Sequence, residues 1–181
     1  MKILNLESSQ YSSLAIKTWE DNGYNYSESN WSLLASSKVK NDSDIIIVRL
    51  ERYISDKELN YFNNLKYIIS ATTGLNHLDL YLFEKKNIKI ISLKGHDDFL
   101  NGIPSTAEFT WGLLLSLIKK IPFAFNHVLN NGWNRDLFIG NQLKRKKIGI
   151  IGLGRTGKKV ARYAKAFDME VFYYDPYVKD E

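Results

Sequence analysis

Apolar residues fall along the first hundred positions in short runs separated by longer amphipathic stretches. Lys2 to Leu6, Asp44 to Leu50, Tyr67 to Ser70 and Ile88 to Ser92 are such runs. Short, β-branched runs bounded by polar residues predict strands, and Asp44 to Leu50 a strongly buried one. Between them the spacing turns helical. Tyr11 to Glu20 sets Leu14, Ala15 and Trp19 on one face, and Trp31 to Ala35 is a shorter helical piece. Ser55 to Asn60 begins a helix that Ser55 caps, and Leu78 to Lys86 forms another. A further strand is expected within Tyr24 to Ser27. This alternation predicts a parallel sheet with helices on both faces.

The pattern then changes. Ser105 to Lys120 is one long helical run, apolar on most sides through Phe109, Trp111, Leu113, Leu114, Leu115, Leu117 and Ile118. Ser105 with Glu108 three residues on reads as a capping box. A helix apolar nearly all round must be buried between layers or between subunits. Pro122 interrupts the run, and a second helical piece extends to Leu129. Asn101-Gly102-Ile103-Pro104 reads as a linker, which predicts domains at residues 1–101 and 102–181. Asn130-Asn131-Gly132 reads as a turn into Trp133.

The last part of the chain carries a chemical motif. Lys147 to Ile151 predicts a buried strand, and Gly152-Leu153-Gly154-Arg155-Thr156-Gly157 follows it. Lys158 to Phe167 then places Val160, Ala161, Ala164 and Phe167 at helical spacing, and Glu170 to Tyr174 predicts a second strand ending at Asp175. This strand–glycine turn–helix–strand–acid order is the fingerprint of a dinucleotide site. Gly152 permits the tight turn, Gly154 lets backbone approach a pyrophosphate, and Gly157 lets helix pack on strand. The helix N-terminus offers unpaired N–H groups and partial positive charge. Asp175 accepts hydrogen bonds from ribose hydroxyls and repels a 2′-phosphate, and Pro176 and Tyr177 supply no arginine, so NAD is favoured over NADP. The bland alternative is a glycine-rich turn with an aspartate capping the next one.

Composition narrows the class. The chain has 181 residues, is 44% apolar and has no cysteine. That suits one or two domains with a real core and excludes disulfides and cysteine-ligated zinc. The N-terminus lacks a signal-peptide run, and no stretch approaches a membrane span, so a soluble cytoplasmic protein is the expectation. The net charge of +5 collects partly in Lys144-Arg145-Lys146-Lys147, Lys158-Lys159 and Arg162. No nucleic-acid-binding motif accompanies these cations. They read as a solvated face near an anionic cofactor.

Together these blocks resemble the D-isomer-specific 2-hydroxyacid dehydrogenases, a family that includes phosphoglycerate, glycerate, lactate and formate dehydrogenases. Thr72-Thr73-Gly74-Leu75-Asn76-His77-Leu78-Asp79 resembles the family's substrate loop, and Ser105 to Leu115 its helix entering the coenzyme domain. Lys147 to Pro176 is similar to its cofactor fingerprint, and Trp133 also matches. The resemblance implies a flavodoxin-like parallel-sheet substrate domain followed by the first β-α-β of a Rossmann NAD-binding domain. It implies that backbone N–H groups at Gly74 and Leu75 hold the substrate carboxylate, which suits a glycine turn at a strand's carboxyl end. It implies that Asn101 orients the loop beneath the active site, that Thr73 and Thr106 lie at the nicotinamide, and that Arg155 and Thr156 meet the pyrophosphate. Thr73 and Asn76 as turn formers and Thr106 as a cap residue stay open as alternatives. A 2-hydroxy or 2-keto acid is the implied substrate, and a homodimer through Phe109 to Trp133 is expected.

The departures are Asn76, where the family usually has an acid or other residue, and Arg145, where a glycine is usual before the fingerprint strand. The family's catalytic arginine, carboxylate and histidine lie downstream of the fingerprint. The expectation is therefore a truncated chain, inactive by itself and weak for NAD. His77 is expected to cap the next helix, His96 to sit with Asp97 and Asp98 in a solvated loop, and His127 to be a surface or interface residue. Two other readings remain open: an NAD(H)-sensing, corepressor-like module of the same fold, and an S-adenosylmethionine enzyme. The three-glycine spacing, which fits a pyrophosphate, argues against the latter.

Overall fold

The computed structural model describes residues 1–178. The chain forms two compact units, Met1–Asp97 and Asp98–Glu181.

The first unit is built on five parallel strands: β1 (Lys2–Asn5), β2 (Asn25–Glu28), β3 (Ile45–Val48), β4 (Tyr67–Ser70) and β5 (Lys89–Ser92). Their order is β2-β1-β3-β4-β5, the flavodoxin-like arrangement expected. Strand alternation sorts the core into two layers. Ile3, Ile45 and Ile47 face one side, where Tyr11, Trp19, Tyr24 and Tyr26 pack on them. Leu4, Ile46, Val48 and Ile68 face the other, with Trp31, Leu59, Phe62 and Phe83. All four residues of β3 are buried, as a strand covered on both faces must be. The edge strand β2, Asn-Tyr-Ser-Glu, is polar and mostly exposed, which blunts pairing with another chain.

The helices of this unit are α1 (Ser13–Asp21), α2 (Trp31–Ser36), α3 (Asp56–Leu59) and α4 (Leu80–Lys85). Their caps are local. The Asn30 side chain accepts the Leu33 N–H, and the Asp79 carboxylate accepts the Leu82 N–H. At α3 the Glu58 carboxylate accepts both the Ser55 N–H, at 3.0 Å, and the Ser55 hydroxyl, at 2.7 Å. Asp79, not His77, therefore caps α4.

The division falls after the first residue of α5 (Asp97–Asn101), so Asn101 closes a helix where a linker was expected. α6 (Ser105–Ile118) follows, with α7 (Ile121–Leu129) and a 3-10 turn at Arg135–Phe138. The expected capping box at α6 does not form. Pro104 takes the N-cap position, Ser105 is already helical, and the Ala107 and Glu108 N–H groups bond the Pro104 carbonyl. Lys120 at φ 54° ends α6, and Pro122 in the first turn of α7 fixes a bend of 65°. No single helix among the described residues is long and apolar enough to cross a membrane.

β6 (Lys147–Ile151), α8 (Arg155–Ala166) and β7 (Glu170–Tyr174) form one parallel β-α-β. Ala107 and Trp111 of α6 join Ile150, Leu153, Val160 and Ala164 in its core, and Trp111 packs on Tyr163 and Phe167. The rest of α6 departs from expectation. Phe109, Leu113 and Leu117 are exposed, as are Phe123, Phe125, Val128 and Leu129 of α7. Within a single chain only one face of this apolar pair is covered.

Candidate functional site

The glycine turn between β6 and α8 is shaped by two of its three glycines for reasons internal to the fold. Gly152 has φ +90°, a conformation that L side chains rarely adopt. A β-carbon on Gly157 would run into the Gly152 carbonyl oxygen, so the helix can approach the strand only without one. Gly154 differs. Its φ of −75° suits any residue, and a β-carbon there would meet nothing within 4 Å. Neither strain nor packing within the protein calls for a glycine at 154. It leaves open space directly beside the helix N-terminus, where no side chain caps α8. The buried Leu153 side chain pins the turn between them.

Asp175, at the carboxyl end of β7, closes the same site. Its Oδ2 accepts the Leu153 N–H at 2.7 Å, and its Oδ1 accepts the N–H groups of Tyr177 (2.8 Å) and Val178 (3.2 Å). Those bonds, Tyr177 first and then Leu153, hold the carboxyl below the usual carboxylate range. The acid is thus ionised and locked against the glycine turn, with lone pairs remaining for further donors. The turn-capping reading of Asp175 is thus what the structure shows.

Two cations of the first turns of α8 bond the end of α5. The Arg155 guanidinium donates to the Leu100 carbonyl at 2.9 Å, and Lys159 Nζ donates to the Asn101 carbonyl at 2.6 Å. Arg155 is thereby tied to the end of α5. Thr156 sits in the first turn of α8. Thr106 is exposed in the first turn of α6, and its carbonyl accepts the Thr110 hydroxyl.

In the first unit the sheet order reverses between β1 and β3, and ligands of open α/β sheets bind at the carboxyl ends of strands at such a point. A cleft of about 430 Å³ lies there, lined by Glu7, Ser9, Arg49, Leu50, Glu51, Ala71 and Thr72. Arg49 is exposed and has no charged partner among the described residues. The Glu7 carboxylate accepts the Leu50 and Glu51 N–H groups at 3.0 and 3.3 Å, fixing the loop after β3. Sequence reading missed both residues. The available signal was a charge placed directly after the carboxyl end of a fully buried strand. Thr73 and Gly74, next along from Thr72, are exposed, and the N–H groups of Gly74 and Leu75 bond no protein acceptor among the described residues.

His77 is placed otherwise than expected, while His96 is exposed in the loop before α5, as expected. His77 Nε2 lies 3.1 Å from Ser70 Oγ. His127 Nε2 accepts the Asn134 N–H at 3.1 Å, and its ring packs on Phe138. Among the described residues no group of three or more His, Asp or Glu side chains is arranged to hold a metal.

Comparison with known proteins agrees with this geometry. Residues 111–181 match the family of the D-isomer specific 2-hydroxyacid dehydrogenase, NAD binding domain. The D-3-phosphoglycerate dehydrogenase of Bacillus subtilis is 32% identical over 138 residues, covering 76% of this chain and 25% of that protein. Its counterpart in Archaeoglobus fulgidus is 34% identical over 138 residues, with the same coverage. The chain thus spans about a quarter of the length of these relatives. Among solved structures, the NAD-dependent formate dehydrogenase of Staphylococcus aureus, in complex with NAD, superposes at a TM-score of 0.79 with 26% identity, over 98% of this chain and 57% of its own. The TT0316 protein of Thermus thermophilus gives 0.82 at 23% identity, over 100% and 58%. The resemblance read from the motifs, and the parallel-sheet fold with it, are borne out.

Proposed function

We propose that this chain, similar through residues 111–181 to the D-isomer specific 2-hydroxyacid dehydrogenase NAD binding domain, binds NAD and a 2-hydroxy or 2-keto acid as part of an oxidoreductase. Gly154 carries this reading: it is a glycine with ordinary φ and open space at its β-carbon, beside an uncapped helix N-terminus and an ionised acid. A pyrophosphate over the turn would receive the first N–H groups of α8, beginning at Arg155 and Thr156, and Asp175 would receive the adenosine ribose hydroxyls. The carboxylate at 175 selects against a 2′-phosphate, so NAD is preferred to NADP. When bound, NAD supplies the hydride acceptor or donor.

The remaining roles are proposed for each unit by itself. Gly74 and Leu75 N–H groups would hold the substrate carboxylate, with Arg49 adding positive charge in the cleft that Thr72, two residues before Gly74, helps to line. Thr106 would stand at the nicotinamide end, and the α5–α8 contact would hold Asn101 against the helix of the cofactor turn. None of His77, His96 and His127 is assigned the acid–base step. The exposed apolar face of α6 and α7 would be covered by a second copy in a homodimer.

NADH fluorescence titration of the 181-residue chain tests the reading. Saturable NADH binding is expected, with NADPH at least tenfold weaker. No saturable binding, or equal affinity for the two, would overturn it.

A further inference from the structure

The loop that presents Gly74 and Leu75 is tied by a hydrogen-bond chain whose proton directions can be read from the donors alone. The Thr72 hydroxyl donates to the Gly74 carbonyl at 2.8 Å. A hydroxyl has one proton, so Thr72 has none left for its 2.9 Å contact with Ser70 Oγ. Ser70 must donate there. Its own proton is then committed, so at the 3.1 Å contact between Ser70 Oγ and His77 Nε2 the imidazole must donate. Ser70 is 1% exposed, so its two bonds, to Thr72 and to His77, satisfy a hydroxyl that water scarcely reaches.

The backbone anchors the rest. The His77 carbonyl accepts the Ile54 N–H at 2.8 Å, and the Thr72 carbonyl accepts the Leu93 N–H at 3.1 Å. The Leu78 N–H returns to the Leu75 carbonyl at 3.0 Å. Both ends of the loop are thus bound to neighbouring segments. Between them Thr73 and Gly74 are exposed, and a β-carbon on Gly74 would touch nothing within 4 Å. No backbone ladder crosses this middle part; the Ser70–His77 bond does.

We propose that His77 is a positioning residue: its Nε2–H, acting through the Ser70 and Thr72 hydroxyls, holds Thr72–Leu75 in the conformation that offers the Gly74 and Leu75 N–H groups to a ligand carboxylate. The proposal rests on the reading above that this loop takes a carboxylate. Nε2 carries a proton in the imidazolium and in the required neutral tautomer, so the chain of bonds survives a change in the ring's charge. A glutamine can place an amide N–H at similar reach, and a phenylalanine cannot donate.

Three measurements on the whole chain test it. The 15N spectrum of the His77 ring, taken with the ring neutral, should show the proton on Nε2; a proton on Nδ1 overturns the proposal. Backbone 15N relaxation should give order parameters of about 0.8 or more for Thr73 to Leu75, falling below about 0.6 in His77→Phe and returning in His77→Gln. Unchanged order parameters in His77→Phe overturn it. Should His77→Phe not fold, Ser70→Ala breaks the same chain one bond on and is read the same way. Pyruvate titration followed at the Gly74 and Leu75 amides should show at least fivefold weaker binding in His77→Phe than in wild type, recovered in His77→Gln. If wild type shows no pyruvate response, the carboxylate reading of the loop fails, while the tautomer and the order parameters still decide the relay.

Discussion

The carboxylate of Asp175 accepts the backbone N–H of Leu153 at 2.7 Å, so the acid of the second strand and the glycine turn of the first form one rigid unit. The glycine turn therefore does not wait for a ligand to find its partner acid. Replacing Asp175 by Ala removes both the proposed ribose acceptor and this tie. NADH affinity should fall about 10- to 100-fold, the range of a hydrogen bond to a charged group. Asp175→Asn should lose less NADH affinity and should narrow the gap between NADH and NADPH. Titration with both nucleotides checks this, and an unchanged ratio would contradict the role of the charge.

The three glycines should separate in experiment. Gly157→Ala drives a methyl into the Gly152 carbonyl and should cost about 1–3 kcal/mol of stability. Gly152→Ala should cost about 1–2 kcal/mol through its φ of +90°. Gly154→Ala should leave the urea midpoint unchanged and weaken NADH binding, since its β-carbon enters space the protein itself leaves open. A Gly154→Ala variant that binds NADH normally would remove the main support for the cofactor site.

Acid sensitivity should have a specific source in the first unit. Burial of Glu58 alone would raise its pKa, but the Ser55 hydroxyl and N–H outweigh that and hold it below the usual range. A carboxyl with a depressed folded pKa contributes stability above its unfolded pKa and loses it as pH falls through the folded one. Wild type should therefore lose stability progressively below about pH 4.5, the unfolded glutamate range. Glu58→Gln should be less stable at pH 7, by about 1–2 kcal/mol, with a flatter acid limb. Urea denaturation between pH 7 and pH 3 measures both.

The exposed apolar face of α6 and α7 should set the oligomeric state. Phe109 and Leu117 are 68% and 75% exposed, and Phe123 and Phe125 are 68% and 64% exposed. An exposed apolar patch of this extent marks an interaction surface. The wild-type chain should run as a dimer by light scattering at micromolar concentration, and Leu117→Asp with Phe125→Asp should convert it to monomer. A monomeric wild type would overturn the assignment.

Much of this protein was legible as pattern, and the misses share a cause. Ser105 and Glu108 have the spacing of a capping box, yet Pro104 takes the cap position, because spacing alone does not say which residue turns helical first. His77 sits in front of a helix and reads as a cap, but Asp79 takes that place and the ring reaches Ser70 instead. Arg49 follows an apolar strand and carries no motif; only its place at the carboxyl end of β3, beside the ends of β1 and β4, puts it in the cleft.

Although β6, expected to be buried, is mostly exposed, the amino-acid sequence by itself determined the β-α alternation, the fully buried β3 and the glycine turn with its terminal acid. These depend on periods of two and 3.6 residues and on backbone freedom, all local to the chain. The tertiary structure decided the strand order, the bonds from Asp175 to Leu153 and from Ser70 to His77, and which face of α6 is covered. Those depend on which distant groups packing brings within about 3 Å, and on what is left exposed afterwards, and local periodicity does not encode either.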